Sequence, residues 1–294
     1  MRFRPKALPS TRPRSTKRTV GVLAGVAVVL AAILSASFAG VFGGRPAAAA
    51  LSAGAHGGRS ASGASPATRP APGAKHAASP GGSAAARAGL TSCTSVAHIG
   101  DSTSVGMVSA QSLPDQAERL AAQYRDVGVQ HVRIDASGGR SIVEEMPDQL
   151  NGDLVATHWY QQGYRGCWVF ALGTNDTANV AVGSNVGISA RIAEMMAAAH
   201  GEPVMWVNTQ TDLTSGPWSE ANMQAWNTAL VAACHTYPNM RIFDWASLVQ
   251  PSWHLSDGIH YTSAGYAIRA HAIAGALTKA FPAGGHSSGC VVGS

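Results

Sequence analysis

Short apolar runs alternate with helix-like segments through most of this chain after residue 94, and this alternation constrains the fold more than any other feature. Residues 167–172 read Cys-Trp-Val-Phe-Ala-Leu, an unbroken apolar run of the kind expected for a strand buried on both faces. Strands that alternate with helices predict a parallel sheet covered on both sides. We therefore expect an α/β fold, a three-layer α/β/α sandwich around a mostly parallel sheet of five strands.

The same pattern gives approximate positions for the elements. Strands are predicted at residues 95–100, 131–135, 167–172, 203–208 and 241–245. Helices are predicted at residues 105–124, within 142–158, and at 186–199, 219–234 and 263–279. The mostly small residues 177–184 are expected to form a loop. Because ligands bind at the carboxyl ends of parallel strands, polar side chains just after these strands are the first candidates for a functional site.

The charges of this chain are divided unevenly along its length. The first 100 residues carry 12 of the 21 Lys and Arg residues and no Asp or Glu, so residues 101–294 carry nine basic and all 16 acidic residues, a net charge of −7. The basic pI of the whole chain therefore comes from its N-terminal part. A nucleic-acid-binding domain is expected to carry a basic face. Because residues 101–294 are acidic overall, we predict no nucleic-acid partner.

The N-terminal segment predicts export. Residues 1–19 contain seven Lys or Arg residues, and residues 20–42 form an uncharged run of apolar and small residues. At about 1.5 Å per residue, a helix of this length crosses a hydrocarbon core of about 30 Å. The basic cluster then stays in the cytoplasm. We expect a transmembrane signal anchor at 20–42, with a cleaved signal peptide as the alternative because small residues follow at 46–50.

The next segment differs in composition from everything that follows it. Residues 43–90 are mostly Ala, Gly, Ser and Pro with scattered basic residues, and large apolar side chains are almost missing. Such a segment buries too little surface to offset its ordering entropy. We predict a disordered linker at 43–90 and one folded domain at 91–294, which is long enough for a substantial core.

Four cysteines fall in the part that is predicted to be exported: Cys93, Cys167, Cys234 and Cys290. The sequence contains no Cys-x-x-Cys, which argues against a zinc site or a redox dithiol. An even number of cysteines outside the membrane predicts two disulfides, with three possible connectivities. If the strands that begin near Cys93 and Cys167 are neighbours, these two cysteines pair and leave Cys234 for Cys290.

Three short motifs, far apart in sequence, supply the groups that a serine esterase needs. Gly100-Asp101-Ser102 offers a hydroxyl nucleophile, and Gly173-Thr174-Asn175-Asp176 offers a side-chain amide. Asp257-Gly258-Ile259-His260 offers a carboxylate and an imidazole three residues apart. Hydrolysis through an acyl-enzyme requires a nucleophile, a base, an orienting acid and oxyanion donors. Each motif alone is weak evidence, but together they point to one chemistry.

With these motifs the chain resembles the SGNH (GDSL-type) hydrolase family over about residues 92–281, and the resemblance implies a flavodoxin-like SGNH-hydrolase domain. It implies that Ser102 is the nucleophile, His260 the base and Asp257 its partner. It also implies that the backbone N–H of Ser102 and the side-chain amide of Asn175 stabilise the oxyanion. The sequence departs from the full Gly-Asp-Ser-Leu form only at Thr103, which affects packing rather than catalysis.

The family's second motif, a glycine whose N–H joins the oxyanion hole, matches either Gly138 or Gly139. We favour Gly139, because Gly-Arg-Ser then leads directly into a helix. Both assignments remain open from the sequence.

Other residues near these motifs have simpler interpretations. His254 is the rival imidazole, and we expect it in a loop or at the rim of the site; His98 is expected to be packed. Asp101 is expected to order its turn by hydrogen bonding. Most of the tryptophans lie in apolar runs and are expected in the core. Trp218 and Trp253 fall in predicted loops, where stacking on a sugar is an alternative to a purely structural role.

Missing motifs argue against an α/β-hydrolase, a nucleotide-dependent enzyme and a zinc peptidase. The chain has no Gly-x-Ser-x-Gly elbow, no phosphate-binding loop and no His-Glu-x-x-His, and Asp176 has no second acidic or His cluster beside it. We predict an exported serine hydrolase of the carboxylesterase type, without metal or cofactor. Its expected substrate is a small-molecule ester or, as we favour, an acyl group of bacterial envelope glycans or lipids. The enzyme is anchored in the membrane or secreted after cleavage. The alternatives are an extracytoplasmic O-acyltransferase with the same triad and, third, a non-catalytic wall-binding module.

Overall fold

The computed structural model describes residues 89–285, 287 and 289–293. The predicted basic segment, anchor and most of the linker lie outside these residues. Within the described part, no helix combines the length and the apolar character needed to cross a membrane.

The strands form one parallel sheet in the order β2-β1-β3-β4-β5-β6. Their bounds are Ser95–Gly100 (β1), His131–Ala136 (β2), Cys167–Ala171 (β3), Val204–Val207 (β4), Met240–Phe243 (β5) and Val291–Val292 (β6). The predicted parallel sheet is confirmed, with six strands instead of five. The additional strand has only two residues, too few to produce a recognisable apolar run.

Helices cover both faces of the sheet. Their bounds are Ser102–Val108 (α1), Leu120–Asp126 (α2), Gly152–Gln161 (α3), Thr174–Ala181 (α4), Ile188–Ala198 (α5), Glu220–Cys234 (α6) and Ser263–Ala280 (α7). Helices α1, α2 and α7 contribute to one hydrophobic core, and α3, α5 and α6 contribute to the other. The predicted three-layer α/β/α sandwich is therefore confirmed.

Strand β3 shows why its sequence is apolar without interruption. Cys167, Val169 and Ala171 belong to the first core, whereas Trp168 and Phe170 belong to the second. Successive side chains of a strand point to opposite faces, so a central strand between two helical layers needs apolar residues at every position.

The long helix predicted at 105–124 was wrong. Helix α1 ends at Val108, and α2 begins only at Leu120. Pro114 lies in the interval, and a proline has no N–H and disfavours helical backbone in the residue before it. The loop predicted at 177–184 was also wrong in its first half, because α4 extends to Ala181.

Two disulfides join the described cysteines, Cys93 to Cys167 and Cys234 to Cys290. The first links the segment before β1 to the start of the neighbouring β3, and the second links the end of α6 to the segment before β6. The pairing expected from neighbouring strands is confirmed.

The register of the sheet brings three strand ends together. Gly100 at the end of β1 is paired with Ala136 of β2 and with Ala171 of β3. Ser102 comes just after the first of these strands, Gly138 and Gly139 come after the second, and Asn175 comes after the third. The fold therefore places them side by side at the carboxyl edge of the sheet.

Candidate active site

Ser102 is the first residue of α1, and the residue before it fixes the turn. One carboxylate oxygen of Asp101 accepts the N–H of Thr103 at 2.8 Å and its hydroxyl at 2.7 Å, which caps the helix. The N–H of Asp101 donates to the carbonyl of Ala171 at 3.2 Å. A Cβ at Gly100 would lie 2.2 Å from the Ser104 oxygen. The turn thus requires a glycine and holds a partly exposed Ser102 against the end of β3.

His98 lies behind this turn and is completely buried. Its Nε2 is 3.1 Å from the Ser104 hydroxyl, and its Nδ1 is 2.9 Å from the Tyr124 hydroxyl. Burial, together with the charge of Arg269, lowers the pKa of His98 to about 3. The imidazole is therefore neutral at physiological pH and packs inside the domain, as the sequence predicts.

Asp257 and His260 form the expected pair. Nδ1 of His260 is 2.7 Å from Oδ2 of Asp257, and Oδ1 accepts the N–H groups of Ile259 and His260, each at 2.9 Å. Burial alone raises the pKa of Asp257, but the hydrogen bond from His260 and those from the backbone outweigh it and lower the pKa. An ionised carboxylate only accepts hydrogen bonds, so Nδ1 carries a proton and Nε2 is left free to act as a base.

In the described part of the chain, no hydrogen bond joins the Ser102 hydroxyl to His260. Both side chains are partly exposed. A bond between nucleophile and base is often long in the free enzyme and shortens in the substrate complex. The structure thus brings Asp257 and His260 into contact and leaves both Ser102 and His260 accessible.

A residue that the sequence did not single out connects the two segments. Arg269 of α7 is almost completely buried, and its Nη2 is 3.4 Å from the Thr103 hydroxyl. Its guanidinium also lies 4.9 Å from the ring centre of Trp245 and 5.3 Å from that of Tyr261, the residue after His260. Arg269 thus joins residues 100–103, the turn of the predicted nucleophile (the nucleophile turn), to the segment that follows His260. No local pattern marks an arginine inside a long helix for this role.

The loop after β2 lies against the nucleophile turn. The N–H of Ser137 donates to the carbonyl of Gly100 at 3.2 Å. The Arg140 guanidinium, which is buried, donates to the carbonyls of Gly100, Asp135 and Leu150 and to the Asp135 carboxylate. These bonds fix the position of the loop that contains Gly138 and Gly139.

Gly138 and Gly139 differ in conformation. Gly139 has φ +72°, and a Cβ there would lie 2.5 Å from the Met146 sulfur, whereas a Cβ at Gly138 would meet nothing within 4 Å. The positive φ of Gly139 therefore favours glycine there, and any side chain would also displace the flexible end of Met146. In the described residues, its N–H has no acceptor, and neither has the N–H of Ser102.

Asn175 lies in the first turn of α4 and is mostly buried. Its Nδ2 donates to the carbonyl of Arg140 at 3.0 Å, and its Oδ1 accepts the indole N–H of Trp218 at 3.3 Å. A side-chain amide has two N–H groups, so one remains for a ligand. Asn175 is thus in direct contact with the loop that contains Gly139.

Asp176, the next residue, is fully buried and takes part in a structural network. Its Oδ1 accepts the N–H of Ile142 at 2.8 Å and Nη1 of Arg191 at 2.9 Å. Burial raises its pKa to about 6, and the hydrogen bond from Ile142 and the charge of Arg191, which both lower the pKa, only partly offset this. Among the described residues, no group of three His, Cys, Asp or Glu side chains is placed to hold a metal ion.

His254 lies in a loop, one of its two predicted positions, but not at an exposed rim. It is buried, its Nε2 is 2.7 Å from Oε1 of Gln210, and its ring stacks on Tyr261 at 4.8 Å. Burial lowers its pKa. Of the two tryptophans predicted in loops, Trp253 stacks on Trp245 at 5.8 Å, whereas the indole N–H of Trp218 donates to Asn175.

Comparison with known proteins identifies a matching protein family. The model of the GDSL-like Lipase/Acylhydrolase family matches residues 98–268. No match to the chain was found among curated proteins.

Several solved structures are similar to the chain. The C-terminal catalytic domain of Streptococcus pneumoniae peptidoglycan O-acetyltransferase A is 17% identical, with 64% of this chain and 94% of that chain covered and a TM-score of 0.46. Est24, a carbohydrate acetylesterase from Sinorhizobium meliloti, is 15% identical over 64% and 100% of the two chains, with a TM-score of 0.49. An aryl esterase from M. smegmatis is 18% identical over 62% and 96%, with a TM-score of 0.47.

Proposed function

This chain belongs to the GDSL-like lipase/acylhydrolase family and is an ester-hydrolysing enzyme, and on that premise we propose that it forms an acyl-enzyme on Ser102. The observation that carries the proposal is the Asp257–His260 pair, in which the carboxylate fixes the protonated Nδ1 and leaves Nε2 for the nucleophile. The sheet register supports it, because Ser102 follows β1, Asn175 follows the neighbouring β3 and the loop of Gly139 follows the neighbouring β2, all at the same carboxyl edge.

The reaction follows from the groups available. Nε2 of His260 removes the Ser102 proton as the hydroxyl oxygen attacks the ester carbonyl. Asp257 stabilises the imidazolium that forms. His260 then gives the proton to the leaving alcohol, and water attacks the acyl-enzyme with the same histidine as base.

The oxyanion of the tetrahedral intermediate meets three donors in this proposal. They are the backbone N–H groups of Ser102 and Gly139 and the second amide N–H of Asn175. Removal of one such donor typically costs about 2.7–4 kcal/mol of transition-state stabilisation. Since these N–H groups have no acceptor in the described part of the chain, no internal bond has to be broken before they bind the oxyanion.

We propose further that the domain acts outside the cytoplasm on acyl groups of envelope glycans or lipids. Both disulfides support an oxidising compartment. The basic cluster at residues 1–19 and the apolar run at 20–42 support export and a membrane anchor or signal peptide. Residues 43–90 then form a linker between the membrane and the catalytic domain.

The test uses the full chain with its disulfides intact and p-nitrophenyl esters of two to twelve carbons. We expect turnover that Ser102→Ala abolishes and that EDTA leaves unchanged. The matched control is Ser247→Ala, which removes an exposed hydroxyl bonded only to the carbonyl of Asp244. Turnover that appears only when an acceptor alcohol is added would instead identify an O-acyltransferase. A folded protein inactive in both assays would contradict the proposed enzyme.

A further inference from the structure

We propose that Trp218 is a positioning residue that sets the orientation of the Asn175 amide in the oxyanion hole. This inference rests on the proposed function, in which the Asn175 amide donates to the oxyanion. Trp218 lies in the segment between β4 and α6, 43 residues from Asn175 in sequence. The catalytic motifs do not include it.

The two bonds of the amide determine which end is nitrogen and which is oxygen. The indole N–H of Trp218 only donates, so the atom 3.3 Å from it must be Oδ1 of Asn175. The carbonyl of Arg140 only accepts, so the atom 3.0 Å from it must be Nδ2. An amide rotated by 180° would lose both bonds. The second N–H of Nδ2 therefore has one fixed direction.

The Arg140 carbonyl that receives this amide is itself held in place. The side chain of the same residue is buried and donates to three backbone carbonyls and to the carboxylate of Asp135. Arg140 therefore supplies a rigid acceptor on one side of the amide, and Trp218 supplies the donor on the other.

Trp218 is also held by its own segment. Its carbonyl accepts the Thr211 hydroxyl at 2.6 Å, and the Glu220 carboxylate accepts the N–H of Thr211 at 2.9 Å. The N–H of Asp212 in the same segment donates to the carbonyl of Gly258 at 2.7 Å. The segment thus contacts both the oxyanion amide and the turn that contains Asp257 and His260.

Loss of the indole N–H leaves Oδ1 of a mostly buried amide without its donor. The two orientations of the amide then become closer in energy, and the flipped one presents an oxygen to the negatively charged intermediate. The oxyanion bond is formed in the transition state, so its loss lowers kcat rather than raising KM.

A double-mutant cycle on the full chain tests this inference with p-nitrophenyl acetate. We expect Trp218→Phe, which keeps an aromatic ring and removes the N–H, to lower kcat at least about tenfold with KM changed less than about threefold. Asn175→Ala should lower kcat roughly 10²–10³-fold. If Trp218 acts through Asn175, adding Trp218→Phe to Asn175→Ala causes no further loss.

The matched control is Trp159→Phe, which changes a partly buried tryptophan of α3 that stacks on Trp168; it should retain full activity. If Trp218→Phe lowered kcat by the same factor in wild type and in Asn175→Ala, the inference would be overturned, and the indole would act on the substrate independently of Asn175. A rise in KM alone would also overturn it.

A spectroscopic measurement keeps the inference testable if Trp218→Phe does not fold or the wild type shows no turnover. The chain has seven tryptophans, and ¹⁵N labelling reports each indole N–H separately. We expect Asn175→Ala to move one indole resonance and to speed its hydrogen exchange, with the other six unchanged. Seven unchanged resonances would refute the bond. If the wild type were inactive but Asn175→Ala still moved one indole resonance, the proposed function would be refuted and the Trp218–Asn175 bond would stand.

Discussion

Nδ1 of His260 lies 2.7 Å from Oδ2 of Asp257, while Oδ1 of the same carboxylate accepts the N–H groups of Ile259 and His260. One carboxylate thus shapes the turn of the backbone and orients the imidazole on it. The three-residue separation has a physical reason, since the turn brings the side chain of its first residue under the ring of its last.

Replacement of that carboxylate should therefore inactivate the enzyme with little effect on its fold. Asp257→Asn places an amide N–H group or a neutral oxygen against Nδ1 and no longer stabilises the imidazolium. We expect kcat for p-nitrophenyl acetate to fall on the order of 10³–10⁴-fold. Asp126→Asn removes an exposed carboxylate at the end of α2 and is the control. Wild-type kcat in Asp257→Asn would exclude Asp257 from the triad.

Substitution can distinguish whether Gly138 or Gly139 donates to the oxyanion. Gly139→Ala forces a side chain onto a backbone with φ +72° and against the Met146 sulfur. The Met146 side chain is flexible at its sulfur, but the left-handed backbone strains any residue other than glycine. We therefore expect a loss of at least about 1 kcal/mol in the free energy of unfolding. We also expect kcat to fall tenfold or more, because the strain displaces the N–H that is proposed to bind the oxyanion. Gly138→Ala meets no atom within 4 Å and should have a much smaller effect. The opposite order, measured by urea unfolding and ester turnover, would assign the donor to Gly138.

Acid should weaken one ion pair near the site in a defined pH range. Partial burial alone raises the pKa of Glu144, but hydrogen bonds from Arg191, Ser184 and Ser141 outweigh it and lower the pKa to about 2, from an ordinary value of 4.5. A carboxylate with a lowered pKa in the folded state stabilises the fold fully above its unfolded pKa, and that contribution is lost as the pH falls through the folded pKa.

Urea unfolding between pH 2 and 6 measures this effect in wild type and Glu144→Gln. We expect wild type to be more stable than Glu144→Gln at pH 5 to 6, with the difference shrinking from about pH 4.5 downward and vanishing near pH 2. Glu145→Gln, which removes the neighbouring exposed carboxylate, is the matched control. A constant difference at all pH values would mean that Glu144 is not paired with Arg191.

Each disulfide should contribute similarly to stability. In the chain-entropy model the contribution depends on the logarithm of the loop length. The sequence separations are 74 residues for Cys93–Cys167 and 56 for Cys234–Cys290. We expect removal of either pair by double Ala substitution to cost about 4 kcal/mol, with a difference of only about 0.2 kcal/mol between them. Unfolding free energies that match wild type would show that the cysteines are not paired.

The sequence was sufficient for the fold class because short apolar runs alternate in it with helix-like segments. The unbroken apolar run of β3, which is buried on both faces, indicates a parallel sheet between two helical layers. Element ends were less predictable. The sequence predicts a loop over part of α4, since its residues are small, although Gly173 and Gly183 with φ of +130° and +99° mark the two ends of the helix.

The proposed catalytic residues were predictable for a different reason. Ser102, Asn175 and the Asp257–His260 pair each lie within a few residues of a recognisable local pattern. Trp218 and Arg269 act through tertiary contacts, with Asn175 and with Thr103 respectively. Neither contact has a counterpart in sequence spacing, so only the structure reveals them.

The most direct test of the proposed acyl-enzyme is to find where a serine-directed reagent attaches. The full chain is treated with phenylmethylsulfonyl fluoride, digested and analysed by mass spectrometry. Our account predicts a single sulfonyl adduct on Ser102, formed much more slowly in His260→Ala and missing in Ser102→Ala. Labelling of another residue, or equal labelling of Ser102→Ala, would contradict it.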